Sequence, residues 1–151
     1  MLPSPEGPFT PYFAYGSNLW HQQMQERCPQ HRNLGRAVLL GYRWTITGGG
    51  TATVIPSAAD EVWGILYGLS ASDEVTLDIK ECVPRLYVKE MLSVLPEGSS
   101  KPIPALVYID TRPGEGPILA EYVIRMRKGL ADSPLPADYV EKMIRPWVPV
   151  A

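Results

Sequence analysis

The chain has 151 residues, 45% of them apolar, with 14 Lys+Arg against 16 Asp+Glu and a formal net charge of −2. That length suits one domain over residues 1–151 with a real core. The charge balance excludes a phosphate-neutralising nucleic-acid face, and no apolar run reaches the roughly 18 residues of a membrane span. Cys28 and Cys82 are too few for a disulfide framework, so reduced thiols and a cytoplasmic location are expected.

Residues 1–11 contain four prolines, no basic cluster and no apolar stretch of signal-peptide type, and are expected to form a loosely ordered lead-in. Tyr12-Phe13-Ala14-Tyr15 reads as a short aromatic strand. It ends at Gly16-Ser17-Asn18. Residues 19–27 follow as a helix with Leu19, Gln23 and Met24 on one face, stopped by Pro29. Residues 37–47, rich in Val, Leu, Tyr, Trp and Ile, supply one or two strands around Gly41. Gly48-Gly49-Gly50 is a turn, followed by the β-branched run 51–55 and then Pro56.

Residues 61–69 make the clearest strand. Trp63, Ile65, Tyr67 and Leu69 share one face; Val62, Gly64, Leu66 and Gly68 share the other, where the glycines invite close approach by backbone or ligand. Ser70 and Asp73 have capping-box spacing, with Asp in the acidic role. The helix they open runs to about Lys80 or Glu81, with Val75, Ile79 and Cys82 at i, i+4 and i+7, and Pro84 closes it. Residues 86–95 and 104–110 are two further strands around the Glu97-Gly98-Ser99-Ser100 turn. Pro117 starts a helix through about Lys128, with Tyr122, Val123 and Met126 inward and Gly129 ending it. Residues 137–144 form a last short helix. Runs of strands with interspersed helices, and no strict βαβ alternation, indicate an α+β fold around a curved sheet or barrel.

Three features carry chemistry. At the strand-to-helix junction Tyr15-Gly16-Ser17-Asn18-Leu19, Gly16 permits a positive φ or close approach to a ligand, and Ser17 or Asn18 can cap the helix. The amides there form either an anion site or an ordinary capped turn. Glu81 stands at a helix end among Leu77, Ile79, Cys82 and Val83. It is either a desolvated carboxyl poised for proton transfer or a solvated glutamate paired with Lys80 or Arg85. Tyr108, in an otherwise aliphatic strand, either aims its hydroxyl into a cavity or sits in the core with one hydrogen bond.

Taken together, the sequence resembles the γ-glutamylcyclotransferase family. The residues carrying the resemblance are Tyr12-Phe13-Ala14-Tyr15-Gly16-Ser17-Asn18-Leu19, Gly49-Gly50-Thr51-Ala52-Thr53 and Asp60-Glu61-Val62-Trp63-Gly64. Leu77-Asp78-Ile79-Lys80-Glu81, then Tyr87 and Tyr108, complete the pattern from about Tyr12 to Met143. Ser17-Asn18 favours this branch over the related γ-glutamylamine cyclotransferases, for which the resemblance leads one to expect Thr-Leu.

The resemblance implies a small mixed or antiparallel β-barrel with flanking helices and an active site free of cofactor and metal. It implies a lyase that cyclises a small-molecule γ-glutamyl amide to 5-oxoproline. Tyr15, Gly16, Ser17, Asn18 and Leu19 would cradle the γ-glutamyl part, Glu81 would be the catalytic acid/base, and Tyr108 a substrate contact. One departure stands out: the family has Gly directly after the catalytic Glu, where this chain has Cys82. If that position needs φ > 0, Cys82 carries strain and the placement of the carboxylate is affected. Two alternatives remain: a pathway cyclotransferase removing a γ-glutamyl protecting group, and a non-catalytic ligand-binding domain on the same scaffold.

Other candidates read as structural. Cys28 with His21 or His31 lacks a paired zinc pattern, and a helix-end Cys before Pro29 is ordinarily packed. Trp44 and Trp63 read as core aromatics. Residues 145–151, with Trp147, suit packing on the body or on a second copy, which leaves a homodimer open.

Overall fold

The computed structural model of the protein describes residues 8–151. Five strands, β1 (Thr10–Ala14), β2 (Arg32–Ile46), β3 (Ala52–Leu69), β4 (Tyr87–Pro96) and β5 (Ile103–Asp110), close a barrel in the order β1-β3-β2-β4-β5. All neighbours are antiparallel except β1 and β5, which meet in parallel with Tyr12 opposite Leu106. The mixed barrel with flanking helices is the α+β architecture the sequence leads to. Of the lead-in, residues 1–7 lie outside the described residues. Thr10 and Pro11 are already paired with Leu69 and Gly68, so the first strand begins two residues before Tyr12.

The largest difference from the sequence reading is β3. Pro56 does not break it: one strand runs through to Leu69, with Pro56 opposite Tyr42. The register shifts between Leu40 and Tyr42, where Gly41 adopts φ 82°. A bulge in the partner strand is one of the few places a sheet tolerates proline. The glycines on the inner half of β3 do permit close approach. A Cβ on Gly64 would stand 2.2 Å from the Ala14 carbonyl oxygen.

Helix α1 (His21–Arg27) is preceded by a 3-10 turn at Ser17–Leu19. Helix α2 (Ala71–Lys80) follows β3, with the Ser70 hydroxyl accepting from the Asp73 amide at 3.1 Å, as the capping spacing implies. Its inward face is not the expected one. Val75 and Ile79 are 61% and 70% exposed, whereas Asp73 and Leu77 are buried. The inward stripe therefore runs Asp73, Leu77, Glu81 at four-residue steps, two of the three acidic, and its last member, Glu81, lines a cavity rather than the core.

Helix α3 (Ala120–Asp132) extends past Gly129, which does not end it. Gly129 is buried against the 3-10 turn, and a Cβ there would come within 2.9 Å of the Leu19 Cβ. Helix α4 (Ala137–Tyr139) continues as a π-turn over Val140–Ile144. Phe13, Trp44, Ile46, Leu66 and Tyr67 fill the barrel core, and Met24, Leu77, Met126 and Ile144 join it from the helices. Trp63 is only packed against this core and Trp147 likewise. Among the described residues no helix is long and apolar enough to cross a membrane.

Candidate active site

β1 delivers its chain end, and α2 its C-terminus, to one cavity of about 220 Å³. Tyr15, Gly16, Ser17, Asn18, Glu81 and Tyr108 all line it. Leu19 does not: it is fully buried beneath the turn, where its carbonyl accepts from the Ser133 hydroxyl at 2.7 Å. The motif's leucine is a packing residue, and only its four predecessors reach the cavity.

The junction is built differently from a capped helix. Gly16 has φ −124° and ψ −135°, so no positive φ is needed, and neither Ser17 nor Asn18 supplies a side-chain cap. Glycine is required by crowding, since a Cβ would lie 2.4 Å from the Tyr122 hydroxyl. That hydroxyl in turn accepts from the Ser17 amide at 3.2 Å. Asn18 is buried and bonded at both ends of its amide: Nδ2 donates to the Tyr12 hydroxyl at 2.9 Å, and Oδ1 accepts from Gln23 at 2.8 Å and Arg27 at 3.1 Å. Tyr15 donates to the Tyr108 carbonyl at 2.5 Å and its own carbonyl accepts from Trp44 Nε1 at 2.9 Å. The bend is thus held by side chains, with little freedom to rearrange.

Glu81 closes the opposite wall as the C-cap residue of α2. Its carboxyl is pushed up to about 7, first by burial, against the pull of Arg27, whose Nη1 lies 3.8 Å from Oε1, and with Asp110 adding to the rise. Of the apolar neighbours expected to desolvate it, Ile79 and Cys82 face outward. The desolvation comes instead from the phenol-rich cavity wall of Tyr12, Tyr15, Tyr87, Tyr108 and Tyr122. Burial pushes these phenols up, Tyr122 to about 12, so they serve as neutral hydroxyls rather than as bases. Cys82 has φ 52°, the left-handed conformation a glycine would adopt without cost.

A second tier fixes the far side. Burial alone would push Asp110 up. Its bonds from Arg112, at 2.7 and 3.0 Å, and from Thr47 hold it below the ordinary carboxylate range. Thr51 contacts this carboxylate at 3.1 Å and the Tyr87 hydroxyl at 2.9 Å. Tyr108 directs its hydroxyl to Asp78 at 2.6 Å. Cys28 stays in the core, its thiol pushed up to about 12 by burial.

The sequence reading assigned no site role to Arg27, Arg112, Tyr122 or Arg125, and the signal for two of them is periodic. Tyr122 and Arg125 stand three apart on α3, so a phenol read as core shares its face with a charge.

Residues 12–122 match the family described as gamma-glutamyl cyclotransferase, AIG2-like. The chain belongs to this family. The mouse gamma-glutamylcyclotransferase is 30% identical over 152 residues, covering 91% of this chain and 79% of the mouse protein. The human one is 29% identical over 143 residues, covering 87% and 76%. A solved structure of a gamma-glutamyl cyclotransferase superposes with a TM-score of 0.81 at 27% identity, over 89% of this chain and 86% of that one. The cyclotransferase-type barrel inferred from the sequence is therefore the observed one.

Proposed function

We propose that the chain is a γ-glutamylcyclotransferase in which Glu81 is the acid/base and the Tyr15–Gly16–Ser17–Asn18 bend holds the γ-glutamyl group. The observation that carries this reading is one relation: a carboxyl raised to about 7 faces, across one small cavity, the bend at the end of β1. The reaction needs little more. The substrate's own α-amine attacks its γ-carbonyl, so nucleophile and electrophile arrive already joined. Holding them in reach is worth roughly 7–11 kcal/mol as effective molarity.

Glu81 as carboxylate takes a proton from the α-ammonium. The freed amine forms the new C–N bond, and the tetrahedral oxyanion collapses as the original amide C–N bond breaks. Glu81 returns its proton to the departing nitrogen, then takes the second proton from the ring nitrogen and passes it on, so that 5-oxoproline and the amine, as its ammonium, leave. A carboxyl near 7 is suited to these transfers, and such shuttles contribute about 10²–10⁴ in rate. The neutral phenols of Tyr87 and Tyr122 and the cavity amides are the donors within reach of the oxyanion.

Incubation with γ-glutamyl-alanine tests the reading. The expected products are 5-oxoproline and alanine, and Glu81→Gln should fold normally while losing nearly all turnover. Free glutamate as product would mean hydrolysis and a different reaction class. Binding of γ-glutamyl compounds without any product would mean a ligand-binding domain.

A further inference from the structure

Gln23 stands on the inward face of α1 and is buried although its side chain is an amide. Both of its N–H groups and its oxygen are used. Nε2 donates to Ser17 Oγ and to Asn18 Oδ1, both at 2.8 Å, and Oε1 accepts from Arg125 Nη1 at 2.9 Å. Arg125 is itself paired with Glu121 on the preceding turn, so toward Gln23 it is a fixed donor rather than a free cation.

The bonds have a definite polarity. A guanidinium only donates, so whatever faces it must be an oxygen. Arg125 therefore turns the Gln23 oxygen toward itself and Nε2 toward the bend. Arg27, whose Nη1 lies 3.1 Å from Asn18 Oδ1, independently turns the Asn18 oxygen toward Gln23. The two constraints agree. Asn18 Nδ2 is then left to donate to the Tyr12 hydroxyl at 2.9 Å. The network thus ends on two hydroxyl oxygens, Ser17 Oγ and Tyr12 Oη, each already accepting an N–H. Each keeps a proton that the network does not take, and both residues line the cavity that holds Glu81. Burial and the nearby Glu81 keep the Tyr12 phenol protonated.

We propose that Gln23 is a positioning residue for the cyclisation: it sets the polarity of the bend, so that the Ser17 and Tyr12 hydroxyls donate into the cavity to the α-carboxylate of the γ-glutamyl group. This rests on the cyclotransferase reading given above. The carboxylate is the acceptor-only end of that group, and outward O–H donors suit it. Gln23 does not line this cavity, so its effect passes through Ser17 and Asn18.

The test measures KM and kcat with γ-glutamyl-alanine for the unaltered chain, Gln23→Met, Gln23→Glu, Ser17→Ala and the two double variants. Methionine keeps the volume and deletes the bonds, which frees Ser17 and Asn18. Glutamate keeps the shape and the partner Arg125 but turns an acceptor on the bend, drawing the Ser17 proton out of the cavity. KM should rise about tenfold in Gln23→Met and about a hundredfold in Gln23→Glu, with kcat moved less. Packing alone would give the reverse order, because glutamate is the closer match in shape, and would lower active protein without moving KM. In the Ser17→Ala background each Gln23 substitution should cost clearly less than it does alone. Thermal melting checks folding, and if Gln23→Glu does not fold, the cycle of Gln23→Met with Ser17→Ala carries the test. An unchanged KM, a milder Gln23→Glu than Gln23→Met, or additive losses with Ser17→Ala overturns the assignment and leaves the cyclotransferase reading intact. Failure of the unaltered protein to cyclise γ-glutamyl-alanine overturns that reading instead.

Discussion

The Tyr108 hydroxyl donates to Asp78 Oδ1 at 2.6 Å, tying β5 to α2 three residues before Glu81. The other oxygen of Asp78 accepts from Lys89 on β4, which also reaches Glu74. Two strands therefore grip one helix through polar side chains, which matters because Val75 and Ile79 give that helix little apolar grip. Tyr108→Phe should cost about 1 kcal/mol of stability, as Asp78 keeps Lys89. It should also lower kcat by roughly tenfold with KM moved less, because the helix end bearing the proposed acid/base loosens. Denaturant midpoints and steady-state rates measure both effects; unchanged kcat would show that the tie does not set Glu81.

Glu81 links stability to pH with a definite sign. Its carboxyl is raised from an ordinary 4.5 to about 7, so between those values the native state holds a proton that the unfolded chain releases. The associated stability is complete below about 4.5 and is lost as pH rises through 7. Glu81→Gln abolishes the dependence. It should stabilise the protein at pH 8 by on the order of 3 kcal/mol and by almost nothing near pH 4. Unfolding measured at both pH values decides it.

Arg27 pulls Glu81 down while burial pushes it up. In the proposed mechanism ionised Glu81 removes the proton, so kcat/KM should rise with pH along an acid limb near 7. Arg27→Gln removes the cation that favours the carboxylate, and the limb should move to higher pH. A limb that moves down, or stays, would assign the titration to another group.

The parts of the molecule that were legible in the sequence are those set by local patterning. The Ser70 cap, the alternation along residues 61–69 and the stop after Glu81 depend on neighbours a few residues away. The orientation of α2 was not legible. Val75, Ile79 and Cys82 have helical spacing, but the face turned inward is the one whose Glu81 completes a cavity made by residues from β1 and α3. Nor was the reason for Gly16. Its partner is Tyr122, 106 positions along the chain, and no local signal announces that contact. Pro56 misled because the bulge that accommodates it lies in another strand.

Cys82 offers a change that the backbone favours. At φ 52° a side chain costs about 1–2 kcal/mol that glycine does not, while the freer unfolded chain of glycine returns part of this. Cys82→Gly should therefore gain somewhat under 1 kcal/mol, a rise in Tm of roughly 2 °C, with turnover retained because Cys82 does not line the cavity. Cys82→Val, β-branched at the same φ, should lose stability. Calorimetry on the pair tests whether the strain is real.

Gly16 and Tyr122 should behave as one unit. An alanine Cβ at position 16 would meet the Tyr122 hydroxyl at 2.4 Å, so the phenol must move and abandon the Ser17 amide. Gly16→Ala should cost about 1–3 kcal/mol and lower kcat/KM, since the bend proposed to hold the substrate shifts with it. Tyr122→Phe removes the offending oxygen. The next contacts of that Cβ are Ala52 Cβ at 3.6 Å and Tyr122 Cζ at 3.7 Å, both ordinary van der Waals distances. In the Tyr122→Phe background, Gly16→Ala should therefore cost much less. A double-mutant cycle should give a coupling of about 1–2 kcal/mol, of the sign that makes the second substitution milder than the first. Additive losses would mean that position 16 is small for a different reason, and that the crowding at the bend lies in its own backbone rather than in the helix across the cavity.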